Sequence, residues 1–174
     1  MLQLIPASTY REQPWKNGGG LAYEIAADEA WRVAIATIDR DGPFSDYRGF
    51  DRTIVAIEGD PVELEVGDER IRLAPFEPFE FAGEDSVFAR VQGRARDLNV
   101  MTDREAFAHD VEIVQGRHRF VLDDDELALV YALDATVWID GVECAVGDAA
   151  AIEEAEGFDV ETAGHAAVIR ITPL

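Results

Sequence analysis

The chain has one cysteine, one lysine and three histidines among 174 residues, and each scarcity closes off a kind of chemistry. A single cysteine, Cys144, forbids an intrachain disulfide and cannot assemble a cysteine-based metal cluster. Its setting, Val142-Glu143-Cys144-Ala145-Val146, suits a buried, inert thiol better than a nucleophile. His109, His118 and His165 are isolated, with no His-x-His pair and no histidine in the first 108 residues. The histidine-rich set that holds iron, zinc or nickel in a small barrel is therefore missing, and neither a metal nor another cofactor is expected. No serine occupies a Gly-x-Ser-x-Gly elbow, and Ser45 and Ser86 lie beside acids in expected loops, so a catalytic triad has no support. No apolar run approaches membrane-spanning length. The opening Met1-Leu2-Gln3-Leu4-Ile5-Pro6 lacks the basic region and long apolar core of a signal peptide, and a cytoplasmic location is expected.

Positive charge is also scarce. Against 36 acidic residues there are 15 basic ones, for a net charge of -21. Long-range repulsion then disfavours nucleic acid and anionic membrane surfaces as partners. The imbalance is uneven: residues 111–174 carry 3 basic and 14 acidic side chains, residues 1–110 carry 12 and 22. A site for an anion belongs in the first part. The acid-rich runs Asp123-Asp124-Asp125-Glu126 and Glu153-Glu154 read as solvated turns.

Short β-type runs punctuated by Gly, Pro and Asp make up the rest. Candidate strands include Leu2 to Ile5, Leu21 to Ala26, Ala30 to Ile38, Arg52 to Glu58, Val62 to Val66, Val87 to Val91 and Arg96 to Met101. In the third, Trp31, Val33 and Ile35 alternate with Arg32, Ala34 and Ala36, the pattern of a strand with one buried face. Gly59-Asp60-Pro61 predicts a hairpin between the fourth and fifth. Thr102 to His109, with Glu105 three residues after a capping Thr102, predicts the one helical turn. Beyond it come Val111 to Val114, Arg119 to Leu122, Leu127 to Leu133, Thr136 to Ile139, Ala149 to Ile152, Phe158 to Glu161 and Ala166 to Ile171. Many short strands with hardly any helix indicate an all-β sandwich or barrel. The segment from Ile54 to Asp68 also resembles that from Leu129 to Gly141, each running apolar strand, tight turn, alternating strand, Gly/Asp turn. A duplication of this kind predicts two fused barrels packed as one unit.

The single lysine, Lys16, sits in Pro14-Trp15-Lys16-Asn17-Gly18-Gly19-Gly20; the other 14 basic residues are arginine. Such a loop can line a pocket, with Lys16 as charge, Asn17 as donor and acceptor and Trp15 as wall. Arg52 opens an otherwise apolar strand, where its fork either pairs with an acid or receives a ligand carboxylate. In Arg96-Asp97-Leu98-Asn99-Val100-Met101, alternation puts Asp97, Asn99 and Met101 on one face, an odd set for a core and an ordinary one for a pocket wall.

These stretches carry a resemblance. Pro14-Trp15-Lys16-Asn17-Gly18-Gly19, Asp41-Gly42-Pro43-Phe44-Ser45, Asp51-Arg52-Thr53 with Glu58-Gly59, Leu73-Ala74-Pro75-Phe76 and Arg96-Asp97-Leu98-Asn99-Val100-Met101 resemble, in order, the motifs of the HutD/Ves family. The match covers residues 1–105; beyond His109 only the general strand pattern fits. The resemblance implies a bicupin: two double-stranded β-helix (jelly-roll) barrels without the cupin metal ligands. The expected division is residues 1–108, holding the ligand pocket, and 109–174, with strands open to exchange between the two. It further implies a place in histidine utilisation, binding urocanate or a formylated intermediate and restraining the pathway. The family's pocket residues would fall on Lys16, Asn17, Arg52 and Asn99.

Three functions compete at this level. One is a binding protein for a small anionic or carbonyl-bearing ligand, with Trp15, Asp97 and Met101 joining the family's four positions. Another is a metal-independent enzyme using Lys16 or Asp97 as acid or base. The third is an assembly module with filled barrels. The sequence leaves a homodimer open.

Overall fold

Alternating apolar runs broken every few residues by Gly, Pro or Asp favour strands over helices, and the computed structural model, which describes residues 1–174, contains seventeen strands and one short 3-10 turn, Ala7–Thr9. The first six strands are β1 (Leu2–Ile5), β2 (Arg11–Pro14), β3 (Leu21–Ala27), β4 (Trp31–Ile38), β5 (Gly42–Pro43) and β6 (Phe50–Gly59). Then come β7 (Val62–Val66), β8 (Glu69–Arg72), β9 (Pro78–Ala82), β10 (Val87–Val91), β11 (Ala95–Asp103) and β12 (Phe107–Val121). The last five are β13 (Leu127–Ala132), β14 (Val137–Ile139), β15 (Val142–Cys144), β16 (Ala149–Ile152) and β17 (Gly157–Pro173). The chain divides into two compact units, Arg11–Ala106 and Met1–Tyr10 with Phe107–Leu174. The first ten residues, grouped above with the N-terminal half, belong to the other unit because β1 pairs antiparallel with β16, Leu2 opposite Ile152.

In unit Arg11–Ala106 a six-stranded sheet, ordered β2-β3-β4-β11-β6-β9, faces a four-stranded sheet, β5-β10-β7-β8. Their inner faces meet in a core of Ile38, Ile54, Val62, Leu64, Leu73, Phe81, Val87, Ala89 and Ala95. The other unit is a seven-stranded sheet, β1-β16-β13-β17-β14-β15 with β12 along β17. Phe120 stacks on the fully buried Phe158 at 5.3 Å in its core, and truncating Phe158 to alanine would cost roughly 3–5 kcal/mol.

The pairing scheme occurs twice. β6 pairs with β9 and β11, while β7 pairs with β8 and β10. In the second half β13 pairs with β16 and β17, while β14 pairs with β15 and β17. One long strand, β17, thus takes the places of both β10 and β11. Val111–Val114 and Arg119–Leu122, expected as separate strands, are likewise one strand, β12. A bulge between Val114 and Gly116, where Gly116 has φ 78°, bends the β12–β17 pair without ending it.

Two further expectations are corrected. β6 and β7 form no hairpin; they lie in different sheets. Gly59 has φ 96° and lies so close to Arg94 that a Cβ would come 2.2 Å from its carbonyl oxygen. Asp60 N–H donates to Arg94 O at 2.9 Å, and Arg94 N–H donates to Asp60 Oδ2 at 2.8 Å. These bonds tie the turn to the start of β11 and send β7 into the other sheet. There is also no helical turn at Thr102–His109. Thr102 is fully buried in β11, paired with both Trp31 and Asp51, so it cannot serve as a cap. Asp103 instead closes a tight turn, accepting from Glu105 N–H on its side chain and from Ala106 N–H on its carbonyl, both at 3.0 Å. Sheet pairing outweighs a local capping signal here.

Candidate functional site

Three neighbouring strands put their polar residues in register on one inner face. Met101 on β11 stands between Arg32 on β4 and Arg52 on β6; Asn99 stands between Ala34 and Ile54; Asp97 stands between Ala36 and Ala56. Because side chains alternate along a strand, all of these point the same way. Ala22 on β3, opposite Ala36, adds to the face. The three alanines Ala22, Ala34 and Ala36 leave open what larger side chains would fill, a cavity of about 40 Å3 lined also by Trp15, Phe44, Ser45 and Tyr47. A buried water needs roughly 10–15 Å3 on this measure, so the space takes a small-molecule fragment. The expectation of one buried face on β4 is therefore corrected: Val33 and Ile35 are buried, but so are Ala34 and Ala36, on the face that borders the cavity.

Arg52 is the centre of charge. Its residue is 5 % exposed, and its guanidinium lies 4.8, 5.3 and 5.7 Å from the ring centroids of Phe81, Tyr47 and Phe44. Such a cage holds a cation in place by ring electrostatics while excluding water. Nη1 donates to Ser45 O at 3.2 Å, whereas the buried Nε has no partner. Asp97 is 2 % exposed, and neither of its oxygens accepts a hydrogen bond. Burial dominates both groups. It lowers Arg52 to about 10 against the raising influence of Asp97, and pushes Asp97 up to about 7 against the lowering influence of Arg52. The two attract, but neither repairs the other's lost hydration.

Arg32 is a second cation on the wall. Its Nε approaches Glu24 Oε2 at 3.3 Å, near enough for an ion pair yet not aligned as a hydrogen bond, and its buried Nη2 has no partner. Glu24 is engaged from its other side by Arg11. Asn99 Oδ1 is the remaining unpartnered acceptor. No group of three or more His, Cys, Asp or Glu side chains is arranged to hold a metal ion.

Of the sequence-predicted residues, Trp15, Arg52, Asp97, Asn99 and Met101 come together at this cavity, and Lys16 and Asn17 do not. Lys16 Nζ donates to Asp46 O at 2.9 Å and lies 5.2 Å from the Tyr47 ring centroid. Asn17 Nδ2 donates to Pro43 O at 2.9 Å, and Asn17 N–H donates to Ser45 Oγ at 3.2 Å. Both residues therefore fasten the glycine loop to the segment carrying Phe44, Ser45 and Tyr47. Trp15 is fixed by its Nε1 donating to Leu21 O at 3.0 Å and by an edge contact with Phe44 at 6.0 Å. Gly20 permits this, since a Cβ there would lie 2.7 Å from the indole. Sequence reasoning missed Arg32, Phe44, Ser45 and Tyr47. Arg32 had a usable signal, an arginine sharing a strand face with two alanines.

The ladder order and the inner-face cavity define a cupin-like β protein. A cupin 2 conserved barrel domain protein from Leptotrichia buccalis shares the fold, with a TM-score of 0.61 over 88% of each chain at 10% identity. More specific comparisons agree with one another. The HutD family profile matches residues 7–169. The structure of HutD from Pseudomonas fluorescens SBW25, described as a formate condition, superposes with a TM-score of 0.90 at 30% identity over 100% of both chains. An uncharacterized 21.2 kDa protein in the hutC 3′ region of Pseudomonas putida is 36% identical over 127 residues, 68% of this chain and 67% of that protein. Protein Ves of Citrobacter koseri is 39% identical over 100 residues, and the chain spans about half its length. This chain belongs to the HutD family.

Proposed function

We propose that the protein is a bicupin that binds a small carboxylate, urocanate or a formylated relative, in its N-terminal barrel without a metal, and thereby restrains histidine utilisation. The observation that carries this reading is Arg52: a residue 5 % exposed whose guanidinium is held by three aromatic rings, with its Nε unpartnered beside a cavity. A buried cation left this way is costly unless something completes it, and a ligand carboxylate does so by charge-assisted hydrogen bonds. The hutC neighbourhood of the Pseudomonas putida relative supports the link to the pathway. The test is calorimetry with urocanate and with formate on the parent and on Arg52→Gln, alongside melting temperatures. Binding that is lost in a variant that stays folded supports the reading; equal binding in both removes it.

A second reading is favoured by Asp97, whose carboxyl, near 7, is suited to taking up and returning a proton at neutral pH. The same pocket would then be a metal-independent enzyme acting on a small carboxylate. Chemical change of a bound ligand, followed by NMR, separates it from simple binding.

A further inference from the structure

Resting on the anion pocket just proposed, we infer that Asp97 is its specificity-determining residue: the ligand carries an N–H or O–H donor beside its carboxylate, and Asp97 receives it. The argument is a count of what the cavity leaves unpaired. On the donor side are Arg52 Nε and Arg32 Nη2; on the acceptor side are both oxygens of Asp97 and Asn99 Oδ1. A bare carboxylate satisfies donors only. It would add a second negative group next to Asp97 and leave three acceptors buried without partners, each lost bond costing about one order of magnitude or more in affinity. Asn99 can turn its amide to present hydrogens instead of oxygen. Asp97 has no such freedom while ionised, since a carboxylate only accepts.

Two sources could supply the missing proton, the ligand or the solvent. If Asp97 itself became protonated, its one new O–H would meet the ligand anion, but its other oxygen would still lack a partner. A donor on the ligand corrects the charge-bearing oxygen directly and keeps the attraction between Asp97 and Arg52. Burial disfavours the ionised carboxylate, and Arg52 offsets that in part. Arg52 on β6, Arg32 on β4 and Tyr47 from the loop before β6 line the cavity with Asp97, and Glu24 on β3 is occupied by Arg11 and Arg32. Urocanate carries both groups, a ring N–H and a carboxylate, set across a vinyl spacer; formate lacks the donor.

The test uses a matched pair small enough for the cavity, glycolate and propionate, in which a hydroxyl replaces a methyl and the charge is the same. Affinities are measured by NMR titration at pH 8 on the parent, Asp97→Leu, Asp97→Asn and Arg52→Gln, and for propionate on the parent also at several pH values from 7 to 9, with melting temperatures to confirm folding. Glycolate should bind the parent at least tenfold more tightly than propionate. Asp97→Leu should bind the two alike, and Asp97→Asn, which keeps a carbonyl acceptor but no charge, should fall between. Equal binding by the parent, or a preference that survives Asp97→Leu, overturns the inference. So does propionate binding that weakens tenfold per pH unit above pH 7, which would make Asp97 the proton donor. Equal binding of both acids that Arg52→Gln abolishes sinks the donor requirement and leaves the anion pocket standing. No binding of either acid, together with no effect of Arg52→Gln on urocanate or formate, removes the pocket and this inference with it.

Discussion

Arg52 and Asp97 face one cavity from adjacent strands, each at least 95 % buried, and neither supplies the hydrogen bonds the other lacks. In a purely structural ion pair the two would be in contact and satisfied. Both groups are left desolvated at the cavity, which the proposed ligand would complete, and stability is where the cost of that arrangement is read.

Asp97 makes that cost depend on pH. Its carboxyl rises from an ordinary 3.8 to about 7 in the folded protein, so between these values the folded state holds a proton that the unfolded state has released. Its contribution is therefore fully present below about pH 4 and is lost as pH rises through about 7, with a slope of up to ~1.4 kcal/mol per pH unit. Urea denaturation from pH 4.5 to 8 should show the parent losing stability relative to Asp97→Asn over that window. Parallel curves for the two proteins would mean that Asp97 ionises freely.

Gly20→Ala should disturb the pocket without touching any polar group in it. The new methyl would sit 2.7 Å from the Trp15 indole, which is anchored through Nε1 to Leu21 O, so the ring must move off its place on Phe44. Overpacking of this kind costs roughly 1–3 kcal/mol. A lowered melting temperature together with a changed Trp15 emission is expected; a variant with the parent's stability and spectrum would show that the loop lies elsewhere.

Much of the fold could be read from the sequence because alternation and turn residues act locally. β1, β7, β10 and β16 have the expected limits, and the shared face of Asp97, Asn99 and Met101 followed from period two. What was not readable depends on partners distant in the chain. Arg94, more than thirty residues on, decides that Gly59 turns the chain into another sheet, and pairing with Trp31 and Asp51 keeps Thr102 extended. The short strands β2, β5 and β15 have too few apolar residues to announce themselves. Lys16 does not line the cavity; rarity and a glycine setting mark a residue as special without saying where its side chain points. Its ammonium reaches a loop carbonyl, while Arg32, not named as a site residue, reaches the cavity.

Lys16 and Arg52 should consequently separate in a binding assay. Lys16→Gln removes an exposed contact to Asp46 O and is expected to change carboxylate affinity by no more than about threefold, since the ammonium sits in solvent and does not line the cavity. Arg52→Gln should weaken it by about tenfold or more. An equally large loss in Lys16→Gln would indicate that the ammonium swings into the pocket when ligand arrives.

The final prediction concerns what the pocket costs the fold. Replacing Arg52 alone leaves Asp97 as a buried acid without its nearest cation, and replacing Asp97 alone leaves the reverse, so single changes mix two effects. The pair Arg52→Met with Asp97→Leu removes both charges, Met nearly matching arginine in size and the larger Leu filling space in the cavity. Exchanges of buried charges for packed apolar groups are often neutral or stabilising by about 1–4 kcal/mol. Here the parent groups are not satisfied by each other, which places the expectation on the stabilising side. Met and Leu would also extend the apolar surface of Phe44, Phe81 and Met101 around them. The double variant should melt higher than the parent at pH 8, where Asp97 is ionised, gain less at pH 5.5, where it is protonated, and bind no carboxylate at either pH. A double variant that melts well below the parent at pH 8 would mean that Arg52 and Asp97 hold the barrel together, and the case for a site kept at the expense of stability would fall.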